Sequence, residues 1–146
     1  MNEIEKNRLL AEDLSARVPF GVKIDLGHEY DDEREVATLV GILPTDDRFF
    51  YETEYKFSDA DGIPTPYLRR MESMTKEEFD EYDKENEKDT ADSHKAIKEN
   101  LKGRKYISSW YHGVLWLYKH HFDFRGLIDM GLSIEVTPEN NPYTED

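Results

Sequence analysis

No cysteine occurs among the 146 residues, which excludes disulfides, thiolate-held zinc and thiol nucleophiles. No apolar run reaches the roughly 18 residues that a membrane-spanning helix requires. The opening Met1-Asn2-Glu3-Ile4-Glu5-Lys6 carries no apolar stretch of signal-peptide length. The expectation is therefore a soluble cytoplasmic protein with no membrane contact. Positive charge is also scarce, with 19 Lys and Arg against 33 Asp and Glu and a net charge of -14. A duplex binder needs cations to displace phosphate counterions, so direct nucleic-acid binding is disfavoured and another protein is the expected partner. No phosphate loop, nucleophile-base pair or internal repeat stands out.

What is present is charge and aromatic surface. Charged residues make up 36% and aromatic residues 12% of the chain, and the mean hydropathy is -0.85. A chain of this size can bury about two-thirds of its unfolded surface in one domain. The composition fits a modest aromatic-rich core inside a charged shell.

Residues 2–16 have Ile4, Leu10, Ala11 and Leu14 spaced for one helix face. Pro19 and Gly21 end that helix. Phe20, Val22, Ile24 and Leu26 then alternate with polar residues as in a half-buried strand. Residues 27–33 read as an exposed acidic turn. Val36 to Leu43 is apolar on both sides and suits a central strand, and Pro44-Thr45-Asp46-Asp47 suits a turn. Alternation resumes from Phe49 through Phe57 as one strand, and Ile63 to Leu68 reads as an extended edge strand. Thr75-Lys76-Glu77-Glu78 has the pattern of a capping box, so a helix should start there. Ser109 can cap a further helix over 110–120, striped by Trp110, Val114 and Leu117 and by Tyr111, Leu115 and Tyr118. Asp123 can cap a last short helix closed by Gly131, and Ser133 to Val136 can add a strand.

These elements imply an α+β fold in a single domain, 1–146. A small antiparallel sheet of three to five strands, curled like an SH3-type barrel, packs with the N-terminal helix and C-terminal helices. Within it, 20–71 forms the meander, 75–104 an acidic helical insert that is flexible over 86–104, 108–136 the helical core segment and 138–146 a loose tail. The expected core residues are Phe20, Val22, Ile24, Val40, Ile42, Tyr51, Leu115, Leu117 and Leu127.

Three stretches carry a family likeness. They are Asp13 to Lys23, Pro66 to Thr75, and Trp110 to Leu132 with its His120-His121-Phe122-Asp123-Phe124-Arg125-Gly126-Leu127-Ile128 core. Together they resemble a family of small uncharacterised proteins from Bacteroides-type gut bacteria, often associated with phage or mobile elements. That family's pattern is a leucine-rich helix, a Pro-Tyr-Gly-Val-Lys strand, a Pro-Tyr-Leu-Arg-Pro-Met-Ser-Ser-Met-Thr segment and an Asn-x-His-His-Phe-Asp-Tyr-Arg-Gly-Leu-Ile segment. The stretches span about a third of the chain. Phe20 and Phe124 stand where the pattern has Tyr, Arg70 stands where it has Pro, and the acidic 76–104 insert departs from it. The resemblance implies provenance and fold; it supplies no activity.

The candidate binding residues are Tyr67, Arg69, Arg70, His120, His121, Asp123 and Arg125. A metal held by His120, His121 and Asp123 is disfavoured, because neighbours on a helix point about 100° apart. His112 and His120 share a face but lie roughly 12 Å apart along the axis. A histidine capping the helix C-terminus fits better. No cofactor, metal or catalytic set is expected. Tyr67, Arg69 and Arg70 with Phe49 and Tyr51 form a candidate aromatic-basic patch for a peptide or a single strand, weighed against ordinary core aromatics and surface arginines. The resulting expectation is a non-catalytic adaptor or accessory protein. The alternatives are an acidic decoy that blocks a nucleic-acid-binding protein, and an enzyme using His120 or His121 with Asp123.

Overall fold

The computed structural model describes residues 2–27, 35–43, 48–53, 56–60, 62–99 and 111–143. The chain starts with helix α1, Glu3–Arg17. Asn2 caps it, its Oδ1 accepting the Glu5 N–H at 2.8 Å, and Glu3 and Glu5 place acid at the positive end of the helix dipole. A short 3-10 turn, Val18–Phe20, follows, and Gly21 at φ +69° turns the chain back toward the sheet.

The strands are β1 Lys23–Gly27, β2 Glu35–Leu43, β3 Arg48–Glu52, β4 Phe57–Asp59 and β5 Thr65–Arg70. Helix α2, Lys76–Glu99, and helix α3, Tyr111–Lys119, come next, then the short strands β6 Phe122–Asp123 and β7 Ile134–Glu135. The sheet runs β4-β3-β2-β1-β5-β6, with β7 also paired to β5. The first four strands and the β1–β5 pair are antiparallel, while β6 and β7 run parallel to β5. The fold is thus α+β with a mixed, largely antiparallel sheet.

The expected SH3-like closure does not occur. β4 and β6 sit at opposite ends of an open sheet of seven strands, more than the three to five anticipated. The ladder that would roll the sheet is interrupted at β5, which joins β1 through only two residue pairs, Ile24 with Pro66 and Asp25 with Thr65. β5 is also no edge strand, since β1, β6 and β7 all pair with it. The alternating run from Phe49 to Phe57 breaks into the β3–β4 hairpin, where the Thr53 N–H donates to the Lys56 carbonyl at 2.8 Å.

Among the described residues no helix follows Asp123. Turns replace it, the Leu127 and Ile128 N–H groups donating to the Asp123 carboxylate and the Leu132 N–H to the Leu127 carbonyl. Trp110, Ser109 and residues 28–33 of the acidic turn expected over 27–33 lie outside the described residues, as do 100–104 of the insert expected to be flexible.

Leu10 and Leu14 of α1 pack on the inner sheet face against Ile24, Ala37, Leu39 and Phe49. A fully buried side chain of this kind stabilises by about 2 kcal/mol. A second cluster joins α2 and α3 through Trp116, Leu117 and Phe122, flanked by Met71, Met74 and Tyr82. Of the expected core, Val22, Ile24, Tyr51, Leu117 and Leu127 are buried. Phe20, Ile42 and Leu115 are only half-buried. Val40 is exposed, because it alternates with the buried Leu39 along β2 and so shares the outer face with Val36.

Candidate functional site

Two regions present chemistry. The first is a cleft of about 640 Å³ between β5, the end of α3 and the stretch Val136–Tyr143. His121 forms its floor. The end of α3 leaves His121 at φ +65°, the only non-glycine residue with positive φ among those described. That is the left-handed position after a helix that glycine usually fills. Its backbone is held on both sides, the His121 N–H donating to the Tyr118 carbonyl at 3.1 Å and the Arg69 N–H to the His121 carbonyl at 2.8 Å. Its ring stacks on Tyr143 at 3.6 Å, and Nδ1 is buried without a hydrogen-bond partner. Burial first, then the neighbouring Arg17 cation, pushes the imidazole down to about 4. It is neutral at physiological pH.

Tyr143 does two jobs there. Its hydroxyl accepts the Lys23 N–H at 2.9 Å and donates to the Tyr67 carbonyl at 2.6 Å. Lys23 and Tyr67 would be the next pair of the short β1–β5 ladder, so the phenol fills the gap between the strands. Burial raises the Tyr143 pKa well above the ordinary phenol value. The stretch after Pro138, expected to be loose, is held to the body at least this far.

Arg69 lies in the same cleft but is committed. Its guanidinium makes two hydrogen bonds to the Glu78 carboxylate, at 2.6 and 2.7 Å, and sits 4.2 Å above the Phe122 ring. The Arg69 hydrogen bonds hold the Glu78 carboxyl down at about 2. Glu78 also closes the capping box, accepting the Thr75 N–H at 3.0 Å while Thr75 Oγ1 accepts the Glu78 N–H at 3.1 Å. One carboxylate therefore starts α2 and ties it to β5. His120 packs on Trp116 with ring centres 4.2 Å apart, and burial lowers its pKa.

The other expected binding residues are spoken for elsewhere. Tyr67 is fully buried. Arg70 bridges Glu135 and Asp129, which raises its pKa. Asp123 is buried, and its two oxygens accept the Leu127 and Ile128 N–H groups at 2.9 Å each. Arg125 donates to the Tyr118 hydroxyl and lies 3.4 Å from Asp13. The structure thus brings Arg69, His120 and His121 together and leaves Tyr67, Arg70, Asp123 and Arg125 outside the cleft.

Beneath these residues lies a buried ion pair that the sequence reading did not single out. Arg17 Nε donates to Asp13 Oδ2 at 2.6 Å with both side chains fully enclosed. Arg17 Nη2 donates to the Phe122 carbonyl at 2.7 Å, and the guanidinium lies 5.1 Å from the Tyr118 ring. The i,i+4 spacing is legible as a helical ion pair; its burial against a segment more than a hundred residues away is not. Tyr143 and Glu78 were missed for the same reason, since their partners come from distant elements.

The second region is the outer face of β2–β4. Phe50 and Phe57 stack there at 5.9 Å with rings 6° from parallel. Phe57 is 63% exposed, Val40 38% and Val36 37%. Gly41 lies directly across from Phe50 in the ladder. The exposed acids Glu52 and Asp59 share the face, each paired across the ladder with one of the phenylalanines.

Among the described residues no group of His, Asp or Glu is arranged to hold a metal ion. No helix among them is long and apolar enough to cross a membrane. Comparison with known proteins finds no matching family model, no matching curated protein and no matching solved structure.

Proposed function

We propose that this chain is a non-catalytic protein-interaction module that docks a basic, apolar-centred partner segment on the outer face of β2–β4. The observation that carries the reading is the exposed Phe57 ring, stacked on the half-buried Phe50 on the same sheet face as the exposed Val36 and Val40. An aromatic pair of this kind costs hydration when exposed and is the type of anchor that dominates interface energetics. The charge of -14, with Glu52 and Asp59 beside the rings, selects for a partner carrying cations around an apolar centre. The likeness of the three stretches supports a setting in a gut bacterium or one of its mobile elements, in the cytoplasm.

The enzymatic reading that pairs a histidine with Asp123 loses its support, because both Asp123 oxygens are engaged by backbone N–H groups. The acidic decoy keeps one favourable observation, the exposed acids Glu77, Asp80, Glu81, Asp83 and Glu87 along α2.

The test is affinity capture from a Bacteroides-type lysate at low and high salt, comparing the native chain with a Phe50→Ser/Phe57→Ser variant of matched melting temperature. A basic partner that survives high salt and is lost with the variant supports the module. A partner retained by the variant, or released completely by salt, moves the contact to the acidic helix and overturns it.

A further inference from the structure

The cleft floored by His121 departs from the rest of the surface in its charge. The chain has 33 acids, yet none lines this cleft among the described residues. Its polar lining comes instead from Arg69, the exposed Lys119, His120, His121 and Thr137. The field around His121 has one sign, since Arg17, His120, Arg69 and Lys23 all act on it to repel a proton. The nearest negative charges come from α2, where Glu78 and Glu81 act on His120 against Lys119 and Arg69. Glu78 is spent on Arg69. Ser73 is spent as a donor, its hydroxyl hydrogen bonding to the Arg70 carbonyl at 2.7 Å. The polar side chains at the mouth besides these are Lys119, His120, Thr137 and Asn141, whose Oδ1 accepts the Tyr143 N–H, with Tyr143 also lining a space of about 640 Å³. That volume falls in the usual range for small-molecule sites.

We propose that this cleft binds a small organic anion through its phosphate or carboxylate group, with Lys119 and His120 holding the charge and Thr137 adding a hydrogen bond. The site lies on β5, α3 and the Val136–Tyr143 stretch, so it is separate from the β2–β4 face and stands or falls independently of it. Bound anion charge favours protonated His120, so ligand and proton bind together. Affinity rises as the pH falls from 7.5 toward 5.5. His121, deeper and surrounded by cations, follows only at lower pH.

The experiment follows the imidazole resonances of His120 and His121 by NMR. The titrants are inorganic phosphate, a phosphate monoester and acetate, each against chloride at matched ionic strength. The expected result is a saturable shift of His120 at roughly millimolar concentration, a raised His120 pKa in the ligand's presence, and no such shift with chloride. Lys119→Glu, at an exposed position in the last turn of α3, is expected to weaken binding by about tenfold or more with only a small fall in melting temperature from acid at the helix C-terminus. His120→Gln is expected to flatten the pH dependence. Saturation by the phosphates alone or by acetate alone assigns the anion type. No saturable shift with any of them, equal shifts with chloride, or full binding by Lys119→Glu overturns the proposal.

Discussion

Acidification from pH 7 to 4.5 is expected to destabilise this protein through His121. An unfolded histidine titrates near 6.5, whereas burial and the Arg17 cation hold His121 down to about 4 in the fold. Between those values the unfolded chain binds a proton that the folded chain refuses. The stability conferred by the neutral ring is therefore complete above 6.5 and is lost as the pH falls toward 4. At pH 4.5 the loss from this group alone comes to about 2 kcal/mol, a sizeable part of a typical domain's 5–15 kcal/mol. Urea unfolding followed by tryptophan fluorescence measures it, since Trp116 sits in the core beside His120. The control is His121→Asn, because asparagine tolerates the left-handed backbone at φ +65° and does not titrate. That variant is expected to start less stable, having lost the stack on Tyr143, and to lose about 2 kcal/mol less than the native chain between pH 6.5 and 4.5. Equal losses in the two proteins, or a His121 pKa at or above 6.5 by NMR, would refute the reasoning.

Three further outcomes follow from individual contacts. Arg17→Met leaves Asp13 charged and enclosed and is expected to cost about 3–5 kcal/mol by chemical denaturation, while adding Asp13→Leu recovers part of the loss; an additive double variant would contradict a coupled pair. Tyr143→Phe strips the Lys23 N–H and the Tyr67 carbonyl of their shared partner and is expected to cost about 1–3 kcal/mol, with faster amide exchange at Lys23; unchanged exchange there would count against the bridge. Gly21→Ala meets no neighbouring atom within 4 Å, so its cost is that of the φ +69° backbone alone, about 1 kcal/mol in melting experiments.

The parts of this fold legible in the sequence are those whose cause is local. The Thr75–Glu78 box, the Gly21 reversal and the Val22–Ile24 face each depend on neighbours within four residues, and each is where the spacing places it. What was not legible depends on partners far along the chain. The Phe49–Phe57 alternation fits one strand as well as two, and only the pairing of β4 on β3 decides it. Asp123 reads as a helix cap, but pairing of Phe122–Asp123 with β5 extends the backbone there and leaves the carboxylate to hold turns. The same holds for the cleft. His120 and His121 stand out in sequence, whereas Tyr143 lies in a polar stretch with no periodicity to mark it. Val40 looked like core because its strand is apolar on both faces; alternation with the buried Leu39 and an outer sheet face left uncovered put it in solvent.

The most direct test of the proposed role places a photo-crosslinking phenylalanine analogue at position 57 and, as a control, at the exposed position 72. Each protein is irradiated in host lysate. A discrete adduct to one basic protein at position 57, absent at 72 and suppressed by excess native chain, is the predicted result. No adduct at 57, or the same adducts at both positions, would contradict the assignment of the β2–β4 face as the working surface.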